Sequence, residues 1–151
     1  MIRIDKLIST VFGIGYVGKG GGTLAAFLCC LLWYGCFYRG NNQLVAIIIT
    51  VIIFFLGVWS ASKVESEWGI DSNKVVIDEV AGMCVSLLFI PVTMTNILIG
   101  LVFFRFFDIV KPFFIKKMEK LPGGWGVMTD DLLAGIYANI LLQIIVWCKL
   151  V

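Results

Sequence analysis

Long apolar stretches separated by short polar segments organise this sequence of 151 residues. Two of them, 23–38 and 43–60, approach the roughly 20 apolar residues that a membrane-spanning helix needs. The polar turn 39–42 lies between them and predicts a helical hairpin. We expect the polar segment 63–74, which follows the hairpin, to form a loop.

A third apolar stretch, 80–107, is too long for one ordinary span and is interrupted at Pro91. Proline cannot continue the hydrogen bonding of a helix without a kink or a break. We therefore predict two short membrane helices, 79–90 and 94–109, joined by a turn. The alternative, one long span, would place the acidic residues at its two ends in opposite compartments.

The last apolar stretch, 131–148, predicts a further span after the polar segment 111–128. The composition agrees with several spans, because 60% of the residues are hydrophobic and the mean hydropathy is +1.01, whereas a soluble domain is roughly half apolar. We expect an all-α polytopic membrane helix bundle with about five membrane segments, two of them short, in a single integral membrane domain over residues 1–151.

The N-terminal residues 2–12 carry an amphipathic pattern. Its apolar positions recur at helical spacing, at Ile4, Leu7, Ile8 and Val11. This spacing predicts a short N-terminal helix that lies in the membrane interface or, as the alternative, packs on the bundle. No signal-peptide pattern precedes the first span, so we expect the N-terminus to be mature.

Charged residues are distributed unequally between the two sides of the predicted bundle. Ten of the twelve Lys and Arg residues fall on the side of the N-terminus or at its edge, and only Arg39 and Lys149 fall on the other. The positive-inside rule places the charged side in the cytoplasm. All ten carboxylates fall on that side as well: Asp5, Glu65, Glu67, Asp71, Asp78, Glu79, Asp108, Glu119, Asp130 and Asp131. The net charge of +2 is too small to indicate a nucleic-acid partner.

The residue types exclude several chemistries. Histidine is absent, which removes histidine-metal clusters and Ser-His-Asp triads. The five cysteines lie within or beside apolar stretches and form no Cys-x-x-Cys pair, so we expect small buried side chains rather than disulfides or metal ligands. Carboxylates gathered with Lys and Arg at one membrane face instead indicate a polar site for a metal ion and an anion.

Two of the four clusters with candidate chemistry are acidic pairs. The pairs Asp78-Glu79 and Asp130-Asp131 each stand at a predicted helix start and are each followed by an Ala-Gly step. Helix capping is one interpretation, but the small residues would let the two helices approach closely and bring the four carboxylates together. They would repel each other without a divalent cation such as Mg²⁺, so we favour metal ligands.

A third cluster is the glycine-rich segment 13–23, which leads into the first span and carries Lys19 and Thr23. Glycine N–H groups and a helix N-terminus favour an anion. The alternative interpretation is a flexible loop.

The fourth cluster combines basic and acidic groups in a very apolar setting. Arg105 and Asp108 are i, i+3 partners on one helical face, and Lys111 follows. Ionisable residues in such surroundings are costly and usually functional. Arg105 could clamp a phosphate through its planar fork, with Lys111 as a second charge, and the alternative is a structural ion pair.

In their order and spacing these motifs resemble the phosphatidylglycerophosphatase A family. The resemblance rests on Asp78-Glu79 with Gly82, on the run Phe-Arg-Phe-Phe-Asp-Ile-Val-Lys-Pro at 104–112, on Pro-Gly-Gly at 122–124 and on Asp-Asp-Leu-Leu-Ala-Gly at 130–135. It covers the chain from about residue 12 to 138. One departure lies in the glycine-rich segment, where the family usually carries prolines and this chain has glycines, which predicts a more flexible loop.

The resemblance implies a Mg²⁺-dependent lipid phosphatase of the bacterial inner membrane that converts phosphatidylglycerophosphate to phosphatidylglycerol, with the active site facing the cytoplasm. The predicted catalytic carboxylates are Asp78, Glu79, Asp108, Asp130 and Asp131. The predicted phosphate-binding residues are Lys19, Thr23, Arg105 and Lys111. The predicted metal ligands are drawn from Asp78, Glu79, Asp130 and Asp131. Water or a carboxylate attacks phosphorus, and we favour water; Asp108 orients Arg105 or acts as a base.

Two other classes give competing hypotheses. A small membrane transporter would carry ionisable residues near the middle of its spans and on both membrane faces, whereas here they gather at one edge. An enzyme like the CDP-alcohol phosphotransferases would also use clustered aspartates and Mg²⁺, but its longer Asp-Gly…Ala-Arg…Gly…Asp…Asp pattern is absent.

Overall fold

The computed structural model describes residues 3–40, 42–70 and 72–150, and no β-strand occurs among them. Three residues that figure in the sequence predictions, Ile2, Asn41 and Asp71, lie outside the described residues. The α-helices are α1 Ile4–Ser9, α2 Gly21–Phe37, α3 Gln43–Trp68, α4 Ile77–Leu87, α5 Met94–Val110, α6 Ile115–Met118 and α7 Gly124–Trp147, with a 3₁₀ turn at Ile14–Val17. The all-helical prediction is confirmed for these residues.

The helices differ in whether they can cross a membrane. Helices α3 and α7 have 26 and 24 residues and are long and apolar enough to span one. Helices α2 and α5 have 17 residues each, which is about 26 Å at the usual rise, slightly less than the roughly 30 Å hydrocarbon core. Helix α4, with 11 residues, reaches only about 16 Å. The number of five membrane segments stays a prediction.

The predicted break at Pro91 is confirmed, because α4 ends at Leu87 and α5 begins at Met94. The Thr93 hydroxyl oxygen caps α5 by accepting the Asn96 N–H at 3.1 Å, and the Asn96 side chain donates to the Pro91 carbonyl at 2.9 Å. The turn is therefore tied to the start of α5.

The predicted loop 63–74 is wrong over its first half. Helix α3 continues to Trp68, and Gly69 follows it with a φ of 84°. Residues 63–68 contain no glycine or proline, and Glu67 forms ion pairs with Arg3 and Lys6, so the polar end of α3 is held by α1.

Helix α7 begins seven residues before the predicted residue 131, so the polar segment predicted at 111–128 is partly helical. The Gly124 N–H donates to the Ser62 hydroxyl at 2.9 Å. The Met128 side chain is fully buried and packs against α3, where Gly57 leaves room for it. Packing against α3 thus extends the helix into the predicted polar segment. One consequence is that the second acidic pair lies within α7, not at its start.

The N-terminal helix is shorter than predicted and packs on the C-terminal end of α3, as the alternative interpretation required. Ile8 joins the apolar cluster beside α3, while Ile4 and Phe12 remain exposed. Contact with a membrane interface stays a prediction for these exposed side chains.

The helices alternate in direction, which brings particular helix ends together. Helix α4 lies centrally and packs mainly on α7, and also on α2 and α3. Its core side chains Met83 and Leu87 are buried with Phe104 of α5 and Leu142 of α7. The N-terminal ends of α2, α4 and α7 consequently meet the C-terminal end of α5 at one end of the bundle, where one cavity lies between them.

Candidate active site

A close crossing of α4 and α7 determines the position of the acidic pairs. A Cβ atom added to Gly82 would lie 2.6 Å from the Asp131 carbonyl oxygen, and one added to Gly135 would collide with the Gly82 carbonyl. Only glycine permits this approach of the two backbones. The prediction that the small residues bring the helices together is confirmed.

Three carboxylates meet beside this crossing. Asp78, Glu79 and Asp131 each offer one oxygen, and these atoms lie within 4.8 Å of one another. Asp78 is 8% exposed and Asp131 3% exposed. Within the described segments, Asp78 Oδ1, Glu79 Oε2 and Asp131 Oδ2 are buried without a hydrogen-bond partner. Buried carboxylate oxygens are costly unless something compensates them, so this group is suited to a cation.

Helix α2 also contributes to the placement of Glu79. A Cβ atom added to Gly22, in the first turn of α2, would collide with the Glu79 carboxylate. The missing side chain at Gly22 is thus what lets the carboxylate lie against the α2 backbone.

Arg105 connects the carboxylates to the last turn of α5. Its Nη1 atom lies 2.6 Å from Asp108 Oδ2 and 3.8 Å from Glu79 Oε1. The predicted pairing of Arg105 with Asp108 is confirmed. The buried Arg105 Nε–H has no hydrogen-bond acceptor in the described part of the chain, so the guanidinium retains a donor for a further anion.

Lys111 follows α5 in a left-handed conformation, with a φ of 47°. Its ammonium group donates to Asp130 at 2.7 Å and to Glu119 at 2.5 Å. Burial lowers the pKa of Lys111, but the hydrogen bonds to Asp130 and Glu119 outweigh burial and raise that pKa above its ordinary value. Lys111 is therefore a protonated donor at neutral pH.

These groups, apart from Glu119, line a cavity of about 260 Å³. Its wall contains eight charged side chains: Lys19, Asp78, Glu79, Arg105, Asp108, Lys111, Asp130 and Asp131. Five are acidic and three are basic, which leaves an excess of two negative charges when all are ionised. A divalent cation would balance this excess, and the basic groups could then bind an anion beside it.

The glycine-rich segment forms another part of the wall through Gly18, Lys19, Gly20 and Gly22. The structure does not bring Thr23 into the wall. Thr23 lies in the first turn of α2 on an exposed face, because Gly22, one residue earlier, is the position that faces Glu79.

Sequence reasoning missed three polar side chains near the site. Ser72 and Asn73 line the cavity, and Glu119 holds Lys111. For Ser72 and Asn73, the sequence shows only that they belong to a polar segment before the first acidic pair. For Glu119, it shows only an acidic residue eight positions after Lys111.

Comparisons with known proteins converge on one family. The sequence profile described as phosphatidylglycerophosphatase A matches residues 7–146 of this chain. A protein of Bacteroides thetaiotaomicron named "Putative phosphatidylinositol-3-phosphatase" is 39% identical over 152 residues, which cover 95% of this chain and 94% of that protein.

Two further relatives are named phosphatidylglycerophosphatase A. The protein of Haemophilus influenzae is 35% identical over 147 residues, which cover 90% of this chain and 85% of the relative. The protein of Escherichia coli is 29% identical over 145 residues, which cover 92% and 81%. No solved structure matches the chain significantly.

Proposed function

Because this chain belongs to the phosphatidylglycerophosphatase A family and is therefore a phosphatase, we propose that it hydrolyses the terminal phosphomonoester of phosphatidylglycerophosphate to phosphatidylglycerol and phosphate. Phosphomonoester hydrolysis is extremely slow unaided, so stabilisation of charge must supply most of the rate. The observation that carries the proposal is the group of largely buried carboxylates Asp78, Glu79 and Asp131 in one cavity with Arg105 and Lys111.

The donor set fits Mg²⁺, which prefers oxygen ligands. Asp78, Glu79 and Asp131 would hold the ion, since their oxygens converge within 4.8 Å and several are otherwise unsatisfied. Asp130 is turned toward Lys111 at 2.7 Å, so its part would be to hold that ammonium group rather than to ligate the ion. When bound, Mg²⁺ supplies positive charge that activates water and stabilises the phosphate in the transition state.

The basic residues of the chain bind and orient the phosphate. Arg105 presents its Nε–H, while Asp108, 2.6 Å away, fixes the guanidinium. Asp108 is accordingly a positioning residue for Arg105, the first of its two predicted roles. Lys111 donates from its protonated ammonium group, and Glu119, whose side chain is 36% exposed against 7% for Asp130, is the partner that the phosphate displaces.

Water is the proposed nucleophile. Its oxygen forms a bond to phosphorus as the bond from phosphorus to the glycerol oxygen breaks, and the leaving oxygen takes up a proton. A cavity carboxylate accepts the proton that water loses, and phosphate and the alcohol are released. In-line attack of this kind asks the protein mainly for positioning and charge.

We propose that α2, α3, α4, α5 and α7 are the five membrane segments, with α4 reaching only part of the way across. The cavity would then open at the cytoplasmic face of the inner membrane, where the charged end of the bundle belongs by the positive-inside rule. The lipid tails would stay in the bilayer while the headgroup enters the cavity.

The Bacteroides relative favours a second candidate substrate, phosphatidylinositol 3-phosphate. Both lipids present a phosphomonoester on a headgroup at the membrane surface, so the same carboxylates and Arg105 would serve either one. The two headgroups differ in size and hydroxyl pattern. Ser72 and Asn73, which line the cavity, are placed to distinguish them.

One assay tests both candidates and the metal. Purified protein in mixed micelles receives either lipid, with Mg²⁺ or with EDTA, and phosphate release is measured. We expect release from phosphatidylglycerophosphate with Mg²⁺ and loss of turnover with EDTA. Faster release from phosphatidylinositol 3-phosphate would make that lipid the preferred substrate. Unchanged turnover in EDTA would show that the reaction needs no metal. Release from neither lipid would refute the proposal.

A further inference from the structure

A second concave surface lies on the outside of the bundle, next to the charged cavity. It is a groove of about 380 Å³ lined by Phe107, Phe113, Tyr137, Ile140, Leu141 and Ile144. Five of these six side chains are fully apolar. We call this surface the aromatic groove.

Residues that line the aromatic groove neighbour residues of the charged cavity along the chain. Phe107 directly precedes Asp108, and Phe113 follows Lys111 by two residues, so the two rings flank the ammonium group along the chain. Both rings meet Tyr137 edge-on, with centroids 5.7 Å and 6.5 Å away. The left-handed backbone at Lys111 and at Phe113 turns the chain so that Phe113 returns over α7.

The groove then follows α7 away from the charged end. Tyr137 lies six residues beyond Asp131, and Ile144 lies thirteen beyond it. At the rise of an α-helix these separations are about 9 Å and 20 Å along the axis. Helix α7 therefore carries the carboxylates in its first half and residues of the aromatic groove in its second half.

A charged cavity followed along α7 by the aromatic groove matches one class of molecule. That class is an amphiphile with an anionic phosphate at one end and a hydrocarbon chain at the other. The phosphate would meet Arg105 and Lys111 in the cavity, and the hydrocarbon would leave past Phe107 and Phe113. A peptide or protein occupant fits poorly, since five of the six lining side chains offer no hydrogen-bonding group.

We propose that the aromatic groove binds an acyl chain of the lipid substrate and so acts as a specificity site for the length of that chain. The inference rests on the proposed lipid phosphatase function. It assigns to Tyr137 and Ile140 the task of holding hydrocarbon while the headgroup reacts. Bulk membrane lipid without preference for the substrate is the alternative occupant.

The structure offers a matched control in a second apolar groove of about 480 Å³, lined by Leu98, Ile99, Val102, Phe103, Ile145 and Leu150. It also lies between α5 and α7, but its α5 residues are at least one helical turn farther from Lys111 than Phe107. Val102 is 64% exposed and Ile140 53% exposed. Both are β-branched, so Val102→Trp controls for Ile140→Trp.

The variants are assayed in mixed micelles with long-chain and with dihexanoyl phosphatidylglycerophosphate. We expect Ile140→Trp to raise KM for the long-chain substrate about tenfold or more, since filling an apolar pocket costs at least as much as a mismatch of one methylene. KM for the dihexanoyl substrate should change little, and Val102→Trp should change neither. An active Ile140→Trp enzyme with an unchanged ratio of the two KM values would overturn the groove proposal alone, whereas an inactive wild type would refute the phosphatase proposal.

A second measurement uses the wild-type chain and needs no variant to fold. Phosphatidylglycerophosphate with a diazirine in its acyl chain is photolysed on the protein, and the cross-linked peptide is mapped. We expect labelling between Tyr137 and Ile144, and much weaker labelling there by diazirine phosphatidylcholine. Equal labelling by the two lipids would identify the occupant as bulk lipid only, and labelling elsewhere would also contradict the proposal.

Discussion

At the scale of single residues, the charges of the site depend on one another. Asp131 is 3% exposed, and its Oδ2 has no hydrogen-bond partner among the residues described. Asp78 and Glu79 are its neighbours within the acidic group. Each of these carboxylates is costly where it lies, and a bound cation would remove that cost.

The first prediction concerns Asp131→Asn. The amide keeps the shape of the side chain but removes a charge that would ligate Mg²⁺, so we expect turnover to fall by about 100-fold or more, since metal charge is worth several kcal/mol in the transition state. The measurement is the rate of phosphate release at saturating Mg²⁺. Asp5→Asn, which alters an acid paired with Arg3 outside the site, is the control and should retain full activity.

The same variant has an outcome that would contradict the assignment. If Asp131→Asn turned over like Asp5→Asn while both gave the wild-type elution profile in detergent, Asp131 would not be a metal ligand.

The sequence motifs located most of the charged site, because charged residues at the edge of an apolar span are costly and are usually there for function. Arg105 and Asp108 are examples, since their spacing of three already implied one helical face. Ser72 and Asn73 could not be located in this way. Their place in the cavity wall comes from the course of a loop, and loop polarity alone does not say what it faces.

At the scale of elements, the crossing of α4 and α7 connects stability to chemistry. The carbonyl of Gly82 faces Gly135, and the carbonyl of Asp131 faces Gly82. A wider crossing would move Asp131 away from Asp78. The spacing of the acidic group therefore depends on two positions that carry no functional group.

The second prediction is that Gly135→Ala weakens both folding and activity. The added methyl group meets the α4 backbone, which cannot move aside as a flexible side chain would, and overpacking of this kind costs about 1–3 kcal/mol. Thermal unfolding in detergent and kcat should both fall.

The control for this prediction is Gly35→Ala in α2, where an added Cβ meets no atom within 4 Å. Alanine there should be neutral or stabilise the helix by about 0.5–1 kcal/mol. A Gly135→Ala protein with the melting temperature of the wild type would contradict the prediction, because the helices could then move apart without loss of stability.

The existence of the five longer helices was predictable, but the end of α3 and the start of α7 were not, and the short helix α6 was not predicted. Apolar length and Pro91 were enough to separate α2, α3, α4 and α5. The polar end of α3 is helical because α1 neutralises Glu67, and the start of α7 is helical because Met128 and Gly124 pack on α3. Both reasons are tertiary contacts, which a local pattern does not contain.

Over the bundle as a whole, the alternating helices separate the end that carries the acidic residues and most of the basic ones from an end where Arg39 and Lys149 lie. The cavity lies at one end, and the exposed Cys36 and Cys148 lie near the ends of α2 and α7 that point away from it. In the proposed topology these cysteines face the outside of the cytoplasmic membrane, and Ser72 faces the inside.

The third prediction tests that arrangement with a membrane-impermeant maleimide. Cys36→Ser leaves Cys148 as the exposed cysteine of the described chain, and it should be labelled in spheroplasts. Ser72→Cys, in a chain that also carries Cys36→Ser and Cys148→Ser, should be labelled only in inside-out vesicles. Labelling of both positions from the same side would contradict the five-segment topology.

The crossing at Gly82 and Gly135 also affects how this enzyme could be engineered for greater stability. Randomising the two positions would return few functional clones, since every larger side chain would separate the helices that align the reacting groups. Open helical sites such as Gly35 are where an engineer should begin, because there rigidity can be added without disturbing catalysis.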